Sequence, residues 1–451
     1  MSKFRPVDRD TGFLMPPSVD EWLPRKHLAR FVVDVIASLD LRAMVGRYRG
    51  SGEASYHPTI LLGILVYGYA TGVFSSRKLE RATHDSVAFR FVAANQHPDH
   101  DTIAAFRRRY LKAIEKLFVQ VLMLAREMGV LKMGTLALDG TKIHANASRH
   151  SALSYEHAGK IEAQLQAEVA ELMARAEAAD QAELPDGMSI PDELARRERR
   201  LAEIARAQAI IEARAKERHA REQAEFEAKL AARATTTAAT GRKPGGKPPA
   251  PPVESPGSTD QVNDEDSRIM PVPGGGFEQC YNAQAAVAAG SLLVVATDVV
   301  QATNDKQQIE PMLGKLGALP VELGKAGTLL ADTGYYSEAN VAACVAVQVD
   351  PLIAMGRQPH YPPLAERFAA VPPLPENPTP VEAMAHRLKT TEGKKLYALR
   401  KQTPEPVFGI IKSALGFRQF LLRGLDNVRG EWSLVTMAYN MKRLFALAGA
   451  A

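Results

Sequence analysis

Three acidic residues stand where metal-dependent chemistry needs them. Asp139 ends the apolar run Leu-Ala-Leu and is followed by Gly-Thr-Lys, and Asp332 ends the run Leu-Leu-Ala and is followed by Thr-Gly-Tyr-Tyr. Glu405 lies between two prolines, in a segment typical of a late helix. Two carboxylates at strand ends and a third from a helix supply the hard oxygen ligands that Mg²⁺ prefers, and a pair of such ions promotes phosphodiester cleavage and joining. The sequence therefore predicts a metal-dependent enzyme with these three residues as ligands.

Basic and aromatic residues surround the predicted glutamate. Pro406 favours the first turn of a helix, because an N–H at that position would have no partner within the helix. Lys412 lies seven residues after Glu405, two helical turns along, so both side chains are expected on one face. Tyr397 and Arg400, one turn apart, come just before the glutamate. These side chains are expected to hold a phosphate backbone beside the metal ions.

The distribution of charge supports a polyanionic substrate. The chain of 451 residues has a net charge of +5 and a pI near 9.0, values that many proteins share. Residues 386–443, however, contain 12 Lys and Arg against four acidic residues, a surplus larger than that of the whole chain. Such a concentration around a metal centre is what a phosphate-rich substrate requires. A solvated basic face without a ligand is the alternative explanation.

Composition also indicates the cellular compartment in which the protein is expected. Cys280 and Cys344 are too few for a disulfide framework or a zinc cluster, and they fit a reducing cytosol. The first residues are polar and do not resemble a signal peptide. The longest apolar stretch, roughly residues 60–74, is too short to span a bilayer. We expect a cytoplasmic protein with no membrane partner.

Residues 1–130 are expected to form an all-α domain. Apolar residues recur at helical spacing twice in its first half, and residues 102–128 are a long helix candidate that carries Arg107, Arg108 and Arg109. A small helical bundle with basic edges is typical of DNA-binding domains, so these arginines are candidate DNA contacts. A packing domain that does not touch DNA is the alternative.

The rest of the chain divides into a core and an insertion. Residues 131–153 contain a strand that runs into Asp139, although Asp-Gly is also typical of a hairpin turn. Residues 154–235, rich in Ala, Glu and Arg, have a short, imperfect heptad pattern and predict a helical hairpin or coiled coil. Residues 236–262 are rich in Thr, Gly and Pro and are expected to be a disordered linker. Residues 263–451 complete the core and add basic C-terminal helices.

The order of elements in this core predicts an α/β fold. Residues 277–300 indicate two strands joined by a tight turn, and hence antiparallel. A helix capped by Asn304 or Asp305, a strand ending at Asp332, a second helix and a further strand follow. This order suits a mixed sheet covered by helices, as in the RNase H-like fold, with the first strand in the centre. Asp139 and Asp332 would then lie together on neighbouring strands.

The same motifs resemble those of the DDE transposases of bacterial insertion sequences, over nearly the whole chain. The resemblance rests on two aspartate motifs and one late signature: Asp139-Gly-Thr-Lys142, Asp332-x-Gly-Tyr-Tyr and Tyr397-Arg400-Glu405-Lys412. It is to the subgroup that has this signature and a long insertion after the first strand. It implies an Asp-Asp-Glu triad that binds Mg²⁺, for which Mn²⁺ can substitute.

The resemblance also implies partners. Tyr397, Arg400 and Lys412 would contact the ends of the element, and Lys142, close to the first aspartate, is a further candidate for a phosphate contact. Four residues separate Arg400 from the glutamate, one more than the usual spacing, so Lys401 is an alternative to it. A homodimer that bridges two terminal inverted repeats of double-stranded DNA is expected by resemblance, with target DNA as a further substrate.

The implied reaction has two steps at one site. Water attacks a phosphodiester at the element's end and frees a 3′-hydroxyl, which then attacks target DNA. Two other functions stay open: an RNase H-like metal-dependent nuclease that cuts without joining, and a domesticated, non-catalytic DNA-binding protein. The presence of all three acids disfavours the second of these.

Overall fold

The chain folds into N-terminal helices, a mixed sheet covered by further helices, and a helical hairpin inserted after the first strand. A computed structural model describes residues 18–46, 55–147, 155–178, 190–240, 248–254, 266–272, 275–356 and 373–450.

The N-terminal segment is helical throughout its described residues, as predicted. Its helices are α1 Val19–Trp22, α2 Leu28–Ser38, α3 Arg42–Val45, α4 Pro58–Thr71, α5 Ser76–Asp85, α6 Val87–Val92 and α7 His100–Glu127. The α7 helix begins where the Asp99 carboxylate accepts the N–H of Thr102 at 2.8 Å, which satisfies one of the unpaired amides of the first turn. Most of α4 is buried on all sides, so it is the central helix of this segment.

Helix α4 ends at a close contact with the C-terminal part of the chain. Gly72 closes the helix with φ +84°, a conformation that favours glycine. A Cβ at this position would lie 2.7 Å from the carbonyl oxygen of Leu415. Among the described residues no single helix is long and apolar enough to cross a membrane, and α4 passes that test only together with α5, at a bend of 96°.

Six strands form one mixed sheet with β1 in its centre. They are β1 Thr135–His144, β2 Arg268–Pro271, β3 Phe277–Ala288, β4 Val294–Val300, β5 Thr328–Ala331 and β6 Asp350–Ile353. Strand β1 pairs antiparallel with β3 and parallel with β5, β5 pairs parallel with β6, and both β2 and β4 pair antiparallel with β3. The central position of β1 and the β3–β4 hairpin agree with the predictions. The hairpin turn at Asp139-Gly140 is excluded, because β1 runs straight through it. Strand β2 is not among the predicted strands.

Helices cover both faces of the sheet. They are α10 Ile309–Gly317, α11 Glu338–Ala346, α12 Pro380–Lys389, α13 Thr391–Ala398, α14 Pro404–Gly409 and α15 Leu425–Ala450. The last helix packs against α4, α7 and β4, and its Asn440 amide accepts from and donates to the backbone of Val294 at 2.9 and 2.8 Å. The N-terminal helices and the sheet therefore share one continuous hydrophobic core.

A buried polar cluster joins the N-terminal helices to the last helix. The Tyr69 hydroxyl donates to Glu431 at 3.0 Å and accepts from Arg107 at 2.9 Å, while the second carboxylate oxygen of Glu431 accepts the N–H groups of Leu421 and Leu422 at 2.9 and 3.1 Å. Arg107 is only 7% exposed. Arg107, a predicted DNA contact, therefore has its guanidinium in the interior of this fold.

Two helices follow β1 and pack against each other as a hairpin. Its arms are α8 Tyr155–Ala178 and α9 Ile190–Thr240, and its small core contains Ala158, Ile204, Ala207 and Ile211. Residues 236–240, expected in the linker, continue α9; residues 241–247 and 255–265 lie outside the described part of the chain. Asp266 fixes the hairpin to the core, because it pairs with Arg214 of α9 and accepts the N–H of Leu425 at 2.8 Å.

Candidate active site

The pairing of β1 with β5 brings the two candidate aspartates to one level of the sheet. Thr135 lies opposite Thr328, so each β1 residue is matched with the β5 residue 193 positions later. Asp139 and Asp332 are separated by the same interval, which extends this register to the point just beyond the end of β5. In contrast to the expectation, Asp139 does not end its strand, because β1 continues beside β3 as far as His144.

A tight turn fixes the second aspartate. Asp332 caps the single 3₁₀ turn that follows β5, and its Oδ1 accepts the N–H of Gly334 at 2.8 Å. The Tyr397 hydroxyl lies 3.3 Å from the carbonyl oxygen of Ala331, to which it donates. Tyr397, expected at the DNA, is thus half-buried beneath the end of β5, and burial raises the pKa of its hydroxyl.

One guanidinium connects the other two acids of the predicted triad. Arg400 Nη1 lies 3.6 Å from Asp139 Oδ2, and Arg400 Nη2 lies 3.4 Å from Glu405 Oε1. The Arg400 side chain is only 13% exposed, whereas that of Glu405, on the first turn of α14, is 54% exposed. A positive charge therefore stands between two carboxylates at the place where the sequence predicts a metal ion.

Burial dominates the electrostatics of the first aspartate. It raises the pKa of Asp139 from 3.8 to about 7; Arg400 opposes the rise, and the carboxylates of Asp332 and Asp305 add to it. The Asp139 Oδ1 accepts the N–H of the next residue, Gly140, at 2.9 Å, which also favours the ionised form. A nearby cation stabilises the ionised form of a carboxylate in this setting.

The donor set suits a divalent metal, although the third ligand is not in place. Asp139, Asp332 and Glu405 offer the carboxylate oxygens that Mg²⁺ and Mn²⁺ bind. Among the described residues, no three His, Cys, Asp or Glu side chains lie close enough to share an ion in this conformation. Arg400 stands between two of these acids as a cation.

Two lysines predicted to contact DNA lie near each other on the side of β1 where β3 and β2 are found. Lys142 donates from Nζ to the carbonyl oxygen of Pro271 at 2.9 Å, and both Lys142 and Lys412 lie close enough to Cys280 to influence its thiol electrostatically. Burial lowers the pKa of Lys412, and the nearby Arg418 acts in the same direction. Arg418, exposed and not predicted, thereby joins them as a basic cluster.

The helix that begins at Pro404 differs from the one predicted. After α14 it widens into a π turn, Ile410–Ala414. The wider turn rotates Lys412 relative to a regular α-helix, so it does not stand directly above Glu405. Three other candidates, Lys401, Arg108 and Arg109, are exposed, and among the described residues no contact joins them to the three acids.

Sequence reasoning missed a buried polar network beside the first aspartate. Asp305 does not cap a helix, because α10 begins only at Ile309; it lies in the preceding loop. Its Oδ1 accepts from Asn282 at 2.8 Å and from Gln284 at 2.6 Å. The alternation of these two amides within the buried part of β3 was the available signal, since buried side-chain amides need partners.

Two comparisons with family models identify the class of this chain. Residues 17–109 match the model described as "Transposase domain (DUF772)", and residues 375–445 match "Transposase DDE domain". Together the two matches support a DDE-type insertion-sequence transposase. The second match includes the Tyr397–Lys412 signature, whereas both aspartates lie between the two matches. No curated protein and no solved structure matches the transposase significantly.

Proposed function

We propose that this transposase cuts DNA at the ends of its insertion sequence and joins the freed 3′-hydroxyl to target DNA, using Asp139, Asp332 and Glu405 as a metal-binding triad. The observation that carries the proposal is the sheet register between β1 and β5, which matches Asp139 with Asp332 when it is continued two residues beyond its last pair. The third acid, Glu405, is linked to this pair through Arg400, whose guanidinium lies close to both Asp139 and Glu405.

Each residue has a distinct task in this proposal. Asp139 on β1 and Asp332 just beyond β5 would hold the cations, and Glu405 would complete the set from a helix. Bound Mg²⁺ or Mn²⁺ ions supply activation of the attacking oxygen and stabilisation of the leaving oxygen. Arg400 compensates the carboxylates before the cations bind and then becomes available to a DNA phosphate.

Several basic residues are proposed to hold the DNA. Lys142 and Lys412 are half-buried and lie on one side of the aspartates, where they favour a phosphate at a fixed place. The exposed Lys401, Arg108 and Arg109 would add electrostatic attraction without that precision. Arg107 is left out because it is buried.

The sheet supports the RNase H-like assignment of the core. The first strand, β1, is central; β3 lies on one side of it with β2 and β4 beyond, all joined by antiparallel pairing, and the parallel strands β5 and β6 lie on the other side. The domain limits of 1–130, 131–153, 154–235 and 263–451, a homodimer on the terminal repeats and a cytoplasmic, DNA-bound location belong to the same proposal. The shared hydrophobic core implies that the helical segment orients DNA rigidly with respect to the acids.

Incubation of the purified protein and Mg²⁺ with DNA that carries the flanks of its own gene tests the proposal. The wild type should give cleavage at the element ends and joined products, and Asp332→Asn should give neither while still binding the DNA. Glu310→Gln, which removes an exposed carboxylate of α10, is the matched control and should retain both products. Cleavage without joining would indicate a nuclease instead, and equal cleavage by Asp332→Asn would refute the triad.

A further inference from the structure

Asp305 lies against the strand that carries the first candidate ligand. Its two amide partners, Asn282 and Gln284, lie on β3 opposite Lys142 and Gly140 of β1. The Asp305 carboxylate therefore reaches across β3 to the residue that follows Asp139.

Gly140 makes this approach possible. A Cβ at Gly140 would lie 2.4 Å from Gln284 Nε2, 2.5 Å from Asp305 Oδ1 and 2.8 Å from Asn282 Oδ1, distances that real Cβ atoms do not show. Glycine at this position thus keeps open the space that the Asp305 carboxylate and its two amides fill. This requirement explains why a glycine is found in the middle of the central strand β1.

A second glycine places Asp305 beside the other aspartate. A Cβ at Gly334 would lie 3.0 Å from Asp332 Oδ1 and 3.8 Å from Asp305 Oδ2. Oδ1 of Asp305 is held by the amides, so Oδ2 is the oxygen directed at the Asp332 turn. Asp305 therefore stands between the two segments that carry the sheet-borne ligands.

A rigid, buried scaffold holds Asp305 in this position. The Tyr335 hydroxyl donates to the Gln284 side-chain oxygen, and the Trp432 indole donates to the Gln284 carbonyl oxygen at 3.0 Å. Gln284, Tyr335 and Trp432 are all fully buried. Polar groups in the interior are costly unless each has its partner, so this network fixes the carboxylate orientation.

We propose that Asp305 supports the cation site from beside it, as a carboxylate that does not itself hold the ion and is positioned by the glycines at 140 and 334 and by the amides of β3. The inference rests on the proposed function, because it requires cations between Asp139 and Asp332. Asp139 lies near the carboxylates of Asp332 and Asp305, and their combined negative charge favours a divalent cation. Partners of this kind change metal affinity by about 10- to 100-fold.

Binding of Mn²⁺ to the full chain tests the inference without recourse to activity. Titration calorimetry and the loss of the free-Mn²⁺ paramagnetic resonance signal should be compared for the wild type, Asp305→Asn, Gly140→Ala and Glu310→Gln, with circular dichroism as a check of folding. We expect Asp305→Asn to raise Kd by roughly tenfold or more, since its amide keeps the acceptor for the β3 side chains but loses the charge. Gly140→Ala should weaken binding as well, although it changes no charge, and Glu310→Gln should bind as the wild type does.

Asp139→Asn separates the two ways in which the inference can fail. If Asp139→Asn weakens Mn²⁺ binding while Asp305→Asn and Gly140→Ala match the wild type, Asp305 is not part of the site and the proposed triad stands. If the wild type binds no Mn²⁺ up to millimolar concentrations, the metal centre is refuted and Asp305 with it.

Discussion

Replacing Asp139 by Asn should stabilise the metal-free transposase at pH 8, although it removes a residue proposed to be essential. The physical reason is that the fold withdraws this carboxyl from water and places it near Asp332 and Asp305. Arg400, 3.6 Å away, compensates only part of that cost. An amide of the same shape carries no charge and therefore avoids the penalty.

The size and the sign of the effect follow from the pKa of Asp139. Burial raises it from 3.8 to about 7, which corresponds to at most about 4 kcal/mol between the two protonation states. Because the pKa in the folded state is above the unfolded value, the carboxyl contributes stability below about pH 4, and this contribution is lost as the pH rises to 7. The stability of the Asn variant relative to the wild type should therefore increase across this window and remain at its maximum at pH 8.

Thermal unfolding in the presence of a chelator at pH 5, 6, 7 and 8 measures this difference. For a chain of this length we expect a melting temperature higher by a few degrees for Asp139→Asn at pH 8, on the order of 1–2 °C per kcal/mol, and a smaller gap at pH 5. Glu310→Gln controls for the loss of one exposed charge. Added Mg²⁺ should stabilise the wild type more than the Asn variant, because only the folded wild type offers the complete site. A gap that is constant with pH, or that closes as the pH rises, would refute the reasoning.

Three further predictions concern the interior and the DNA contact. Glu431→Ala should lower the free energy of unfolding by about 3–5 kcal/mol, because it leaves the buried Arg107 without its counter-charge. Denaturant unfolding measures this loss, and a change below about 1 kcal/mol would contradict the prediction. Gly430→Ala should cost about 1–3 kcal/mol, since its Cβ would lie 2.5 Å from the Leu111 Cβ where α15 crosses α7, and an unchanged melting temperature would show that the helices separate freely. Lys412→Ala should weaken DNA binding at all sequences and reduce the salt dependence of log K by roughly one phosphate contact, and an unaltered slope in fluorescence anisotropy would exclude the contact.

Local patterns in the sequence were sufficient to predict most of the helices and strands and the pairing of the two strands that lead to the aspartates. Apolar runs predicted β1, β3, β4, β5 and β6, and topology placed the first strand beside the strand that leads to Asp332. Strand β2 has only four residues and ends in a proline, so it carries no pattern of its own.

The remaining features depend on partners that are distant in sequence. Arg107 was expected at DNA because its tertiary partners cannot be read locally: Tyr69 and Glu431, which complete its cluster, are 362 residues apart. The sequence predicts Asp305 as a helix cap because a loop aspartate before a helix is typical of one. Its approach to Gly140 depends on the pairing of β3 with β1. Arg400 was expected at a phosphate, and its place between two acids depends on the turn that joins α13 to α14.

The long arm of the hairpin has a consequence for measuring the size of any assembly. Helix α9, with 51 residues, is about 77 Å long, whereas its partner α8 has 24 residues and covers about half of that length. Between Arg221 and Ala238 none of the described side chains is buried. A projecting rod of this kind increases hydrodynamic drag far more than it increases mass, so a monomer will elute early from a sizing column. Light scattering or native mass spectrometry, which report mass and not friction, is therefore the measurement that can distinguish a monomer from the expected dimer.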